Sequence, residues 1–222
     1  MGGFIPLGDA SRRPARAAII TVLIIAVNAF VFLQELTGGP RFVAAWSVVP
    51  LRLMHGHHAI TLLTSMFMHG GWLHIIGNMV YLWAFGPAIE DAMGSFRFLL
   101  FYLAGGLVAM SGQVLADPFS TVPVLGASGA IAAVMGAFIV TFPRDRIRTL
   151  LWFLIFFRVT YIPAIFLIGF WFILQLANFG SVADVHTGGV AYLAHIAGFL
   201  FGVITGRFLS KPQRIPYPMP RY

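Results

Sequence analysis

"VLGASGAIAAVMGAF", residues 124–138, decides the fold. It places one hydroxyl, Ser128, among Gly126, Ala127, Gly129 and Ala130 at the mouth of an apolar run. The run stops at Pro143 and the Arg144-Asp145-Arg146 triplet, so an uninterrupted helix covers about 128–142. At 1.5 Å per residue it reaches about 22 Å, short of a ~30 Å hydrocarbon core. The charged triplet fixes one end at a membrane surface, which leaves the Ser128 end sunken. At that end a serine can be a helix N-cap, a packing residue or a nucleophile.

The chain around this run is 59% hydrophobic and 9% charged, with a mean hydropathy of +0.88. A soluble domain carries about 25% charged residues, so most of this surface cannot face water. Apolar stretches recur to the end rather than standing once near the start, which excludes a lone signal peptide. The reading is an all-α membrane protein with six transmembrane helices, at about 17–37, 70–89, 96–114, 128–142, 160–178 and 189–207. Residues 1–16 form a cytosolic head, 17–207 the helical domain and 208–222 a Pro/Arg-rich cytosolic tail. The apolar stretch from 149 reads as an interfacial piece before the fifth span, because Pro163 suits a first helical turn. Loop 38–69, mixed and aromatic, packs on the outer membrane surface.

The net charge of +7 does not point to nucleic acid, because no basic patch with interleaved aromatics occurs. With the N-terminus inside, all of the 14 Lys and Arg residues except Arg41 and Arg52 fall in cytosolic segments. That is a strong positive-inside pattern, and it suits anionic lipid headgroups. Cysteine is absent, which excludes a disulfide framework and a thiolate nucleophile.

This topology sends all seven histidines (55, 57, 58, 69, 74, 186 and 195) to the outer half. Ser128 begins an inward-running helix and shares that half. His195 lies about 9 Å into another. In "AHIAGFLFG" (194–202), His195, Gly198 and Gly202 share one helical face, and the glycines admit a close neighbour. Gly129, Ala132, Ala133 and Gly136 form a matching face after Ser128. Packed together, the two faces bring His195 to Ser128 and create a base-activated serine. In "HGGWLHIIGN" (69–78), His74 and Asn78 sit at i, i+4. With the Ser128 backbone N–H they can donate to an oxyanion. Each feature alone has a plainer reading: a capping serine, ordinary helix packing at Gly198 and Gly202, a polar clamp at His74 and Asn78, or metal or proton transfer at His195. No carboxylate lies within a span near His195, so a Ser–His dyad is expected; Asp117 and Asp184 fall in outer loops.

These pieces together resemble the rhomboid family of intramembrane serine proteases: Gly126-Ala-Ser128-Gly129, the His69…His74…Asn78 spacing and His195-x-x-Gly198-x-x-x-Gly202. "FGPAIEDAMG" (85–94) and "RFLLFYLAGG" (97–106) are similar to the family's stretch joining its second and third helices, and the likeness covers residues ~55–207. The resemblance implies a six-helix bundle with a short fourth helix and a water-filled cavity on the outer face. It implies Ser128 as nucleophile, His195 as general base and acid, and His74, Asn78 and the Ser128 amide as the oxyanion site. His69 takes a structural role, and Gly126, Gly129, Gly198 and Gly202 support the site. The implied activity is cleavage of single-span membrane proteins in or near their transmembrane segments, without metal or cofactor. The implied setting is a prokaryotic cytoplasmic membrane, with transmembrane substrates and lipids as partners. A large N-terminal domain and a seventh span, seen in some relatives, are not expected. The fifth span, with Phe166, Phe170, Trp171 and Phe172, is the candidate lateral gate. The competing readings are a non-catalytic membrane-protein binder on the same fold and a metal transporter built on the outer histidines such as His55, His57 and His58.

Overall fold

The computed structural model describes residues 2–12, 14–182 and 191–211. Its body is six helices of 14 residues or more: α1 (Ile19–Trp46), α4 (Trp72–Met93), α5 (Ser95–Ala116), α6 (Ser128–Thr141), α7 (Ala164–Val182) and α8 (Tyr192–Leu209). Two short helices, α2 (Pro50–Met54) and α3 (Thr61–Thr64), and a 3₁₀ turn (Ser65–Phe67) occupy the segment between α1 and α4. Helix α1 outruns the expected first span. It kinks at Gly39, whose φ of 59° is left-handed, just before Pro40, which cannot donate to the preceding turn.

Short α6 is the centre of the body. Every residue from Gly129 to Phe138 is buried, and α4, α5 and α8 all pack on it. Phe138 meets Phe85 of α4 edge to face at 5.2 Å. The α6–α8 contact is backbone against backbone. A Cβ on Gly198 would collide with the Gly129 carbonyl oxygen, and one on Gly202 with that of Ala133; Gly136 and Gly206 face Phe199 and Ala137 in the same way. Small residues thus set the separation of these two helices, as where apolar solvent gives no hydrophobic drive.

The start of α1 is held by a carboxylate from α4. Glu90 is buried and accepts the backbone N–H groups of Ile20 and Thr21 at 2.9 and 2.8 Å, the Thr21 hydroxyl at 2.8 Å and the Ser95 hydroxyl at 2.7 Å. These amides belong to the first turn, which has no intrahelical acceptors.

Two expectations need correction. The fold is not all-α: β1 (Gly2–Asp9), β2 (Arg146–Phe153) and β3 (Phe156–Pro163) form an antiparallel sheet in the order β1-β2-β3. The fifth long helix begins at Ala164, because residues 160–163 belong to β3. The segment after α6 alternates as a strand does, with Ile147 and Thr149 buried and Arg146 and Arg148 exposed. It doubles back at Leu154-Ile155, where Leu154 takes a φ of 56° in place of the usual glycine or asparagine. The N-terminal head packs on the body. Strand β1 pairs with β2 and lies along α4, and Phe4 reaches the ring of Phe170 on α7. Arg12 closes the base of the sheet on Asp145.

Among the described residues three helices are long and apolar enough to cross a bilayer, α1, α5 and α8; α6 and residues 164–178 of α7 are shorter apolar helices. An apolar groove of about 810 Å³ runs between β1, α1 and α4, from Trp72 to Trp83, and touches neither Ser128 nor His195.

Candidate active site

Ser128 opens α6. Its loop is pinned from outside the helix: the Gly126 amide donates to the Ser65 carbonyl at 2.8 Å, and Val124 bridges Val48. Gly126 has a φ of 135°, in the region open to glycine. The first bond across the start of α6 runs from the Ile131 amide to the Ala127 carbonyl, so the amides before it point out of the helix.

The close α6–α8 contact sets Ser128 against His195 of α8. Ser128 Oγ lies 2.7 Å from His195 Nε2, and the imidazole is buried. The other ring nitrogen, Nδ1, is 2.8 Å from Oε1 of Gln175 on α7. Trp171, one turn before Gln175, presents its ring to His195 with centroids 5.7 Å apart, and Tyr192 approaches edge-on at 6.5 Å. The sequence pattern singles out Ser128 and His195 and does not single out Gln175. A lone glutamine in an aromatic helix offers no spacing motif.

His74 arrives from the first turn of α4. Its Nδ1 accepts the Gly70 amide at 3.2 Å, and its ring lies over Gly126. A Cβ there would stand 3.0 Å from His74 Nε2 and 3.5 Å from Ser128 Oγ, so both groups border one small space. Asn78 is buried one turn further along α4, and its Nδ2 has no hydrogen-bond partner. A buried amide donor left open is costly unless an acceptor arrives.

His69 is buried with neither ring nitrogen hydrogen-bonded, and its ring meets that of His74 edge to face at 5.1 Å. Its backbone amide donates to both oxygens of Glu35 in α1, at 2.9 and 3.1 Å. Glu35 therefore anchors the His69-Gly70-Gly71 turn that leads into α4, a role the sequence reading did not assign. Of the remaining histidines, His55, His57 and His58 are exposed in the α2–α3 region, and His186, with Asp184, lies outside the described residues. Among the described residues no three His, Asp or Glu side chains gather as a metal site. Of the four gate aromatics, Phe166 and Phe170 are exposed, whereas Trp171 and Phe172 pack on Phe199 of α8.

A sequence model described as the rhomboid domain matches residues 56–212, which hold Ser128, His195, Gln175, His74, Asn78 and His69. The chain belongs to the rhomboid family. It is 32% identical over 197 residues to rhomboid protease GluP of Bacillus subtilis, covering 87% of this chain and 35% of that protein. It is also 32% identical over 158 residues to mitochondrial rhomboid protein 1 of Saccharomyces cerevisiae, covering 68% of this chain and 42% of that one. Similarity to chloroplastic rhomboid-like protein 11 of Arabidopsis thaliana is 28% over 212 residues, 90% of this chain and 69% of that protein. The chain thus spans less than half of the length of the first two. With its apolar helices, this rhomboid is a multi-pass membrane protein.

Proposed function

We propose that this rhomboid is an intramembrane serine endopeptidase that cuts single-span membrane proteins in or near their transmembrane segments. The observation that carries the reading is the 2.7 Å contact between Ser128 Oγ and His195 Nε2. A hydroxyl is a poor nucleophile until a base takes its proton as it attacks.

In the proposed reaction Oγ bonds to the scissile carbonyl carbon and its proton passes to Nε2. The carbonyl oxygen becomes an oxyanion, for which the His74 Nε2–H, the open Asn78 amide and the Ser128 N–H are the donors. Collapse breaks the C–N bond, and Nε2 returns its proton to the departing amine. Water, deprotonated by His195, then cleaves the acyl ester and restores Ser128. The sequence draws only on side chains and water. Peptide groups of an unwound substrate are unpaired in lipid at a cost of several kcal/mol each, and a polar cavity on the outer face would receive them.

For orientation, the positive-inside pattern supports six spans, with both termini on the cytosolic side of a prokaryotic cytoplasmic membrane and Ser128 toward the outer face. Helix α7 is the candidate gate, since Phe166 and Phe170 face outward. The chain has no cysteine, so engineered pairs can be placed cleanly; unreduced cleavage after cross-linking α7 to α4 excludes the gate.

The decisive test is turnover of a single-span reporter by purified protein in liposomes. Wild type cleaves, Ser128→Ala and His195→Ala do not, and a fluorophosphonate labels Ser128 alone. Normal turnover by Ser128→Ala overturns the assignment, and chelator-sensitive activity favours a metal-based reading.

A further inference from the structure

Gln175 is oriented before it meets the histidine. Its Nε2 donates to the Trp171 carbonyl one turn back, at 3.2 Å, and the side chain is buried. That bond takes up the amide's donor end and turns Oε1 toward α8. Oε1 can only accept, so the His195 Nδ1 at 2.8 Å must carry the ring proton. Nε2 then holds the lone pair, and it is the nitrogen that faces Ser128 Oγ. The tautomer a general base requires follows from an amide on a third helix.

We propose that Gln175 is the positioning residue of this site. It fixes His195 in the Nδ1–H tautomer with its ring edge toward Ser128, and it keeps an acceptor on Nδ1 when the imidazole becomes charged during attack. The inference rests on Ser128 as nucleophile and extends that reading from two groups to three. A neutral amide suits the location. A carboxylate among these apolar helices would need its own partner, because an unpaired buried charge costs several kcal/mol. The amide supplies the same lone pair without that charge. The arrangement also ties chemistry to α7: displacing that helix withdraws the acceptor, and His195 is then free to adopt either tautomer.

The alternative is that Gln175 only fills space and that Trp171 and Tyr192 hold the ring by packing. A ring locked in the wrong tautomer costs a serine protease about 10⁴ in kcat. A ring merely released from one tautomer loses less, roughly 10–100-fold on that scale. The experiment uses the full chain with ¹⁵N-labelled histidine in bicelles, His195 being assigned by difference with His195→Ala, alongside reporter cleavage in liposomes. Gln175→Leu, close in volume but without an acceptor, should lower kcat roughly 10–100-fold with KM within about twofold. Its His195 nitrogen shifts should move from the pure Nδ1–H form toward a mixture. Gln175→Glu, which keeps an acceptor at the same point, should recover most of the lost kcat. Wild-type kcat in Gln175→Leu overturns the proposal. So does a pure Nδ1–H signal in Gln175→Leu with Gln175→Glu equally impaired. Should the leucine variant fail to fold, Gln175→Asn is read by the same two criteria. A Ser128→Ala arm separates the failures: if it cleaves normally the nucleophile is wrong, whatever tautomer Gln175 imposes.

Discussion

The Gly70 amide donates to Nδ1 of His74 across 3.2 Å. An accepting Nδ1 carries no proton, so the neutral ring bears its hydrogen on Nε2, the atom that borders Gly126 and Ser128. The turn ahead of α4 thereby aims a donor at the place where charge would develop. If His74 serves the oxyanion, its removal acts on the transition state rather than on binding. We predict that His74→Ala lowers kcat by about 10²–10³, or roughly 2.7–4 kcal/mol, with KM little changed. Steady-state kinetics on the reporter checks this. A variant that raises KM at unchanged kcat would assign His74 to substrate binding instead.

Packing geometry makes a second prediction at the α6–α8 contact. A methyl group on Gly198 meets the Gly129 carbonyl oxygen, and neither backbone can yield without parting Ser128 from His195. Overpacking typically costs about 1–3 kcal/mol. Gly198→Ala should lower the melting temperature in detergent and reduce cleavage more than its fraction unfolded explains. Gly169 on α7 has open space where its Cβ would stand, so Gly169→Ala should change neither. Equal effects at the two glycines would show that backbone contact is not the cause.

These glycines also show what a sequence can disclose. Gly129, Gly198 and Gly202 recur at helical spacing beside Ser128 and His195, so periodicity and burial point the same way. The sheet was hidden for the opposite reason. Its turn is Leu154-Ile155 rather than a glycine or asparagine pair, and it sits inside an unbroken apolar run over 150–157. Hydropathy alone therefore reads 149–163 as a membrane-surface segment. Strand β1 was hidden because its partner is more than 130 positions away in the chain. Gln175 and Glu35 lie in apolar helices with no spacing motif around them; only the tertiary fold reveals that one meets His195 and the other the His69 amide.

At the base of the sheet, burial pushes the Asp9 carboxyl up from 3.8 to about 7; nearby Asp145 adds to the rise, while the Ser11 amide and Arg12 oppose it. The folded value lies above the unfolded one, so the folded state holds the proton more tightly. Asp9 therefore favours the attached strand below about pH 4, and that contribution fades as pH climbs through about 7. Asp9→Asn mimics the protonated form at every pH. We predict that wild type and Asp9→Asn melt together in acid, and that the variant gains as pH rises from about 4 to about 7, the difference then levelling off. Parallel melting curves across that range would show that Asp9 titrates alike in both states.

The last prediction concerns the carboxylate that begins the bundle. Glu90 accepts two backbone amides and a hydroxyl from the first turn of α1, and the Ser95 hydroxyl at the start of α5. It also places negative charge at two helix N-termini, where the dipole favours it. Glu90→Ala strands buried donors, Thr21 being fully enclosed. Each unmet donor costs about 1–3 kcal/mol, so the loss should be at least ~3 kcal/mol. Glu90→Gln keeps one accepting oxygen but turns an NH₂ toward the remaining donors, and its stability should fall between the other two. Equilibrium unfolding in detergent measures the order. Because Glu90 sits at the far end of α4 from His74, the folded fraction of each variant should cleave the reporter at the wild-type rate. A glutamine variant as stable as wild type would mean that charge and acceptor number are irrelevant here, and that the glutamate is retained for its shape.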